Sequence, residues 1–232
     1  FLGEAGVKVS HDRAAERLPN LAIPELNSVG AQEIFVTAAH GVTDFISAMD
    51  TDRIREWNAW YHLMNSGLTV KASGETDFPC MSGTRPGQGR SYVQLGKQSR
   101  VDYAQWCRGI ARGRSYVSDG YAHALAFDVN GKTSGDELHL ATSGRVTVTG
   151  QVAFSRETPL EPAYGGAIPV GGLRHVGDTV IKRETQSLTP AYLRGHRLVE
   201  VVVNGHAVAS REVPADGREH AVEFSVPIQR SS

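Results

Sequence analysis

The hydrophobic periodicity of this chain changes near residue 125, and this change is the strongest constraint on its fold. Beyond this point, apolar residues recur at every second position, as in Leu125, Phe127 and Val129. Asn-Gly pairs at 130–131 and 204–205 follow such runs and are typical of two-residue hairpin turns. Helix signals are nearly absent there. The pattern therefore predicts an antiparallel sheet or β-sandwich for this half of the chain.

Before residue 125, strand-like and helix-like segments alternate. The apolar run at 33–39 is suited to a strand that is buried on both faces. Two helices are predicted: one follows an N-cap at Asp50 or Thr51 and is stopped by Gly67, and the other runs from Asp102 to Arg112 and is stopped by Gly113. Further strands are predicted at 68–72 and 115–118. This alternation predicts βαβ units, and hence a parallel sheet.

Composition excludes several classes of function. The chain has 232 residues, 40% of them hydrophobic, and a net charge of −1. A nearly neutral chain has no long-range field to attract nucleic acid or an anionic membrane, and a small-molecule substrate is compatible with this composition. No apolar run reaches membrane-spanning length. Two cysteines, Cys80 and Cys107, allow at most one disulfide and leave both the cytoplasm and the periplasm open as compartments.

Polar residues follow several of the predicted strands. His40 follows the run at 33–39, Glu75 and Asp77 follow the strand at 68–72, and His11 follows a short strand-like run. Functional groups of parallel α/β proteins gather at the carboxyl ends of strands. Imidazole and carboxylate groups held on rigid elements are ligands for a divalent metal, which lowers the pKa of a bound water. The pattern is therefore compatible with a metal site.

Each of these residues also has a structural interpretation. The chain contains nine histidines, and some fall near strand ends by chance. An isolated Asp at such a turn is more often a helix cap than a ligand. Glu75 and Asp77 are also candidates for ion pairs with nearby arginines, namely Arg85, Arg90, Arg112 and Arg114. Because no phosphate-binding glycine loop or Gly-x-Ser-x-Gly elbow occurs, no separate catalytic residue is singled out.

Four ordered segments between Leu18 and Gly131 resemble one family of metallohydrolases. They read LPNLAIPELNSVGAQEIFVTAAHGVTDFISAMDT, WNAWYHLMNSG, SGETDFPC and GRSYVSDGYAHALAFDVNG. Together they resemble the C-terminal part of a PHP-type metallohydrolase domain, most closely its carbaryl-hydrolase-like (CehA/McbA) branch from bacteria. The segments VEVVVNGHAV and VEFSVPIQRSS are similar to the β-rich extension that follows the barrel in such proteins.

The resemblance implies a distorted barrel of parallel strands that hydrolyses ester, amide or phosphoester bonds. Divalent metal ions (zinc, manganese or iron) would lie at its C-terminal face. Position by position, Asp77 matches the family's late metal-binding aspartate, and Glu33 matches an acidic position on the preceding strand. His40 and His11 are placed like histidines near the family's site. Glu75 remains a candidate ligand because of its position beside Asp77.

Two departures from the family pattern concern the metal ligands. The N-terminal His-x-His motif is absent, and Phe78-Pro79 stands where a histidine commonly follows the late aspartate. We therefore expect either that the missing ligands lie upstream in a longer protein or that this branch has lost its metal. As an isolated chain it would be inactive.

These observations lead to a two-part interpretation. Residues 1–124 would form part of a PHP-like metallohydrolase domain, and residues 125–232 a β-sandwich-like module. The predicted function is metal-dependent hydrolysis with metal-bound water as the nucleophile. The rival hypothesis is a non-catalytic binding or scaffold protein, in which a degenerate PHP-like barrel is retained and the β module contacts glycans or other proteins.

Overall fold

The computed structural model describes residues 2–3, 31–48, 53–76, 87, 89–156, 175–176, 179–180 and 195–229. These residues contain three helices: α1 (Ala31–Ala39), α2 (Arg53–Asn65) and α3 (Tyr103–Ala111). The strands are β1 (Leu2–Gly3), β2 (Phe45–Ala48), β3 (Lys71–Gly74), β4 (Arg90–Val93), β5 (Ser115–Ser118), β6 (Ala122–Val129), β7 (Gly144–Phe154), β8 (His175–Val176), β9 (Thr179–Val180), β10 (His196–Val203), β11 (His206–Pro214) and β12 (Glu219–Ile228). None of these helices is long and apolar enough to span a membrane.

The strands form small and mostly antiparallel sheets. Strands β12, β7 and β6 make one antiparallel sheet, and β10 pairs with β11 in a hairpin. In the first half of the chain, β5 lies between β1 and β4, pairing parallel with β1 and antiparallel with β4. Strands β2 and β3 form a parallel pair, and β8 pairs antiparallel with β9.

The predicted barrel of parallel β/α units is wrong. The described residues form no such barrel, and their parallel pairing is limited to β1 with β5 and β2 with β3. Two departures break the expected repeat of strands and helices. The run at 33–39 is helical, and β4 enters antiparallel to β5.

The apolar residues at 33–39 are buried on one face only, which suits a helix and not a strand buried on both faces. Val36 is 58% exposed, which a strand inside a parallel sheet would not allow. The half-buried residues follow the spacing of one helical face: Ile34, Phe35, Thr37 and Ala38. Gly41, with φ of 68°, ends the helix as its backbone N–H bonds to the carbonyl of Ala38. The strand of this region is β2, further along the chain.

Three other predictions for the first half are confirmed: the end of α2, the strand β5 and the cap of α3. Helix α2 ends just before Gly67, whose φ is 80°, and strand β5 occupies 115–118 as expected. The Asp102 carboxylate accepts hydrogen bonds from the backbone N–H groups of Ala104 and Gln105, so it caps helix α3 as predicted. The strand predicted at 68–72 begins later, as β3.

In the second half, the sheet β12–β7–β6 and the hairpin β10–β11 share one hydrophobic core. Its buried members are Ala122, Val146, Val148, Val152, Phe154, Val199, Val213, Ala215, Val222, Phe224 and Val226. Both predicted Asn-Gly turns are confirmed, since Asn130 and Asn204 have φ of 50° and 51° and the glycine after each is also left-handed. The turn at 204–205 joins β10 directly to β11. The turn at 130–131 ends β6 and pairs Val129 with Lys132, and residues 132–143 separate it from β7.

Helix α2 connects the two halves of the chain. The buried side chains of Trp57 and Tyr61 pack with Trp60 and with Val202 of β10. At the end of the helix, the Asn65 side chain donates a hydrogen bond of 3.3 Å to the carbonyl of Asn204. Burial, with a smaller contribution from Glu200, raises the pKa of Tyr61 above its usual value. The phenol therefore stays neutral inside this contact.

Two adjacent residues of α2 allow a direct test of this packing. Leu63 is fully buried, whereas Met64 is 41% exposed. We expect Leu63→Ala to lower the free energy of unfolding by about 2–5 kcal/mol, because it leaves a cavity. Met64→Ala should change it by less than about 1 kcal/mol. Urea unfolding followed by circular dichroism measures both values, and equal losses would contradict the packing of this helix.

Candidate functional site

The carboxyl ends of several strands meet at one edge of the molecule. In the parallel pair of β2 and β3, Ala48 lies opposite Gly74, and the next N–H, that of Glu75, donates a hydrogen bond of 2.8 Å to the Ala48 carbonyl. Strand β1 runs parallel to β5, with Gly3 opposite Ser118. Each of these four strands therefore ends beside a neighbour that runs in the same direction.

Strands β3 and β5 also run in the same direction. The Lys71 side chain at the start of β3 lies beside Gly113, just before β5 begins. At the other end of β3, Gly74 packs on the backbone of Arg90, which pairs with Ser118 at the end of β5. The ends of β1, β2, β3 and β5 and the start of β4 thus lie together. We call this region, formed by Ala48, Gly74–Thr76, Gly87, Gly89–Arg90 and Ser118–Gly120, the strand-end edge.

Two glycines allow β3 and β4 to approach this closely. A Cβ atom on Gly74 would overlap the backbone of Arg90, and one on Gly89 would overlap the carbonyl of Glu75. The Ser91 hydroxyl completes the contact by accepting a hydrogen bond of 2.8 Å from the Gly74 N–H. Any larger residue at either glycine would force the two strands apart.

The Arg90 side chain is held in place across the strand-end edge. Its Nε donates a hydrogen bond of 2.6 Å to the Gly87 carbonyl, and the Gly87 N–H donates one of 3.1 Å to the Thr76 hydroxyl. The guanidinium lies against Gly120, where a Cβ would overlap Nη1. Gly120 has φ of 85°, a conformation that favours glycine.

The turn after β5 is braced by two side chains. The Ser118 hydroxyl accepts a hydrogen bond of 3.0 Å from the Gly120 N–H and donates one to the Ala122 carbonyl. The Asp119 carboxylate is 8% exposed and accepts a hydrogen bond of 2.8 Å from the Tyr121 N–H. Side-chain bonds of this kind stabilise a defined turn.

An aromatic cluster lies on the same face of β4 and β5 as Arg90. Tyr92 and Tyr116 are paired across the strands and stack with ring centroids 5.0 Å apart. The ring of His123 meets Tyr92 edge-on at 4.9 Å, and its Nδ1 lies 2.9 Å from the Tyr116 hydroxyl. Burial, followed by the nearby Tyr92, raises the pKa of Tyr116 to about 12. Tyr116 therefore stays protonated well above neutral pH.

The structure places three of the five predicted metal ligands. Glu75 lies at the strand-end edge and is half-buried. Glu33 lies in the first turn of α1 and His40 just after that helix, both exposed, so neither follows a strand as predicted. Within the described residues, no group of three or more His, Cys, Asp or Glu side chains could hold a metal ion. These three residues are therefore not gathered into one ligand set.

Asp77 and His11, the other two predicted ligands, lie outside the described residues, as does Cys80. The role of Asp77 as a metal ligand therefore stays a prediction. Glu75, two residues before it in the sequence, lies at the strand-end edge. The structure also bears on the alternative that Glu75 forms an ion pair with an arginine. Among the described residues, its carboxylate forms no ion pair with an arginine, and Arg114 pairs with Asp136 instead.

Sequence reasoning missed the support of Arg90, which it treated only as a partner for a carboxylate. The spacing of Thr76, Gly87 and Gly120 carries no recognisable pattern, because the three residues meet only in the folded chain. A cluster of glycines before Arg90 was the one available signal.

A concave surface lies on the sheet β12–β7–β6, away from the strand-end edge. It encloses about 480 Å³ and is lined by residues of mixed polarity: Ala126, Phe127, Asp128, Thr149, Gly150, Gln151, Arg211, Ala221, Val222 and Glu223. Small residues of the three strands line it together with two carboxylates, an amide, a hydroxyl and a guanidinium. We call this the sheet depression.

Comparison with known proteins adds no relative to this description. No family model, no curated protein and no solved structure matches the chain. The resemblance to PHP-type metallohydrolases is therefore carried by the quoted sequence segments alone.

A glycine substitution tests the contact that builds the strand-end edge. Gly74→Ala should lower the free energy of unfolding by about 1–3 kcal/mol, since its methyl group overlaps the Arg90 backbone. Gly144→Ala is the matched control, because it also lies in a strand but has no atom closer than 4.0 Å to the added carbon. Chemical unfolding of both variants measures the difference, and a Gly74→Ala variant as stable as the control would contradict the contact.

The raised pKa of Tyr116 predicts a loss of stability at alkaline pH. The unfolded phenol ionises near pH 10 and the folded one near 12, so the stabilisation is present below about pH 10 and is lost as the pH rises towards 12. Absorbance of the phenolate at 295 nm should show a transition near pH 12 in the wild type that Tyr116→Phe lacks. A difference transition near pH 10 would contradict the burial of this hydroxyl.

Proposed function

We propose that this protein is a metal-dependent hydrolase whose active site lies at the strand-end edge. The convergence of strand ends carries this proposal, because functional groups of parallel strands gather where their carboxyl ends meet. Glu75 belongs to that edge, and Asp77, the residue matched to the family's late metal-binding aspartate, follows it by two positions. The parallel direction of β1, β2, β3 and β5 is sufficient for this arrangement and does not require a closed barrel.

The donor types fit a hard or borderline divalent cation. Glu75 and Asp77 would supply carboxylate oxygens, which zinc, manganese and iron accept. Because the described residues alone do not group three donors, the proposal depends on Asp77 and on ligands beyond them. A metal held there would supply Lewis acidity, which would lower the pKa of a coordinated water.

The chain's own residues would position the reacting groups. The hydrogen bond from the Glu75 N–H to the Ala48 carbonyl fixes the main chain just before Asp77. The Thr76 hydroxyl holds Gly87, and through it the Arg90 side chain, at the same edge. A site built on strand ends that are packed backbone to backbone keeps its geometry without reorganisation during the reaction.

Elemental analysis combined with a hydrolysis assay on the full-length protein tests the proposal. We expect bound zinc, manganese or iron in the wild type. Asp77→Asn should remove most of this metal and reduce hydrolysis of 4-nitrophenyl esters by at least about 10- to 100-fold. Glu219→Gln, an exposed carboxylate on β12, is the matched control and should change neither quantity.

The proposal is wrong if the wild-type protein holds none of these metals and Asp77→Asn alters neither metal content nor hydrolysis. That outcome would favour the second candidate function, a non-catalytic binding protein. The sheet depression supports this alternative, because mixed donors and acceptors around small residues suit a hydroxyl-rich ligand such as a glycan.

A further inference from the structure

We propose that Arg90 binds an oxyanion of the substrate, a phosphate or a carboxylate group, at the strand-end edge. This inference rests on the proposed function and adds the class of substrate. Arg90 is the first residue of β4 and pairs with Ser118, the last residue of β5. Its main chain packs on Gly74, one residue before Glu75. The guanidinium therefore belongs to the same edge as Glu75, one of the two carboxylates of the proposed function.

The Arg90 side chain is oriented before any ligand binds. The bond from Nε to the Gly87 carbonyl uses one of the five N–H donors of the guanidinium. Gly87 is itself held by the Thr76 hydroxyl, so the acceptor does not depend on Arg90 for its position. The two terminal nitrogens provide the remaining donors in a planar fork that matches carboxylate and phosphate oxygens.

Gly120 makes the space that this guanidinium occupies. Its left-handed backbone and missing side chain place the main chain directly against Nη1, where alanine would collide. The turn holding Gly120 is braced by Ser118 and by the buried Asp119. These contacts fix the position of a guanidinium that is otherwise exposed to solvent.

The charge of Arg90 is not neutralised by a carboxylate within the described part of the chain. Among the described residues no ion pair joins it to Glu75, and the side chain is exposed. An exposed guanidinium with fixed orientation attracts anions, and two parallel hydrogen bonds to one anion make the contact both stronger and more specific. We infer that the substrate carries its negative charge on the side of the site that faces β4.

Binding of inorganic phosphate to the full-length protein tests this inference without hydrolysis. The titration is done calorimetrically in EDTA, so that no metal contributes to phosphate affinity. Arg90→Met should raise the Kd for phosphate at least about tenfold, and Arg90→Lys should recover part of the affinity as a point charge. Arg218→Met, which removes an exposed arginine after β11, is the matched control and should bind like the wild type.

Kinetics then separate this inference from the proposed function. Relative to the wild type, Arg90→Met should raise KM for 4-nitrophenyl phosphate by at least about tenfold and leave KM for neutral 4-nitrophenyl acetate unchanged. If the wild type hydrolyses neither compound, the proposed function fails while the phosphate titration still tests Arg90. Equal phosphate binding by the wild type and Arg90→Met, or no binding at about 10 mM phosphate, overturns the inference. Circular dichroism of each variant verifies that it is folded.

Discussion

The backbone contact between the end of β3 and the start of β4 is the constraint on which the strand-end edge depends. It exists because Gly74 and Gly89 leave no side chain between the two strands. The contact brings Arg90 against Gly74, and the pairing of Arg90 with Ser118 then brings in the end of β5. Through the bond from Glu75 to Ala48, the end of β2 joins the same group. The close approach of these four segments thus depends on having glycine, with no side chain, at positions 74 and 89.

The strand ends meet at one edge although the expected parallel barrel is absent from the described residues. The argument that functional groups gather at carboxyl ends requires only that neighbouring strands run in the same direction. Strands β2, β3 and β5 do so, although the sheets are small and β4 runs in the opposite direction. The antiparallel direction of β4 has its own consequence, because it delivers the first residue of that strand, Arg90, to the edge where the others end.

The failed prediction for residues 33–39 has a physical explanation. A short apolar run has the same composition in a buried strand and in one face of a helix, so periodicity alone does not separate the two. Gly41, with its left-handed backbone, ends helix α1 directly after the apolar run. Glu33 and His40 lost their predicted positions with that strand. Asp102, Gly67 and the Asn-Gly turns were predicted correctly because each acts within a few residues: the Asp102 carboxylate caps the backbone N–H groups that follow it, and the glycines and asparagines adopt a left-handed φ.

The sequence by itself determined the features that depend on local conformation. Capping residues, left-handed glycines and the period-two runs after residue 125 act within a few residues, so their effects are legible without the fold. Only the tertiary structure decided which strands lie side by side. It therefore also decided that Thr76, Gly87 and Gly120 meet around the guanidinium of Arg90. Gly74 illustrates the difference, since its own backbone conformation does not require glycine. It must be glycine because β4, sixteen residues away in sequence, packs directly on its α-carbon.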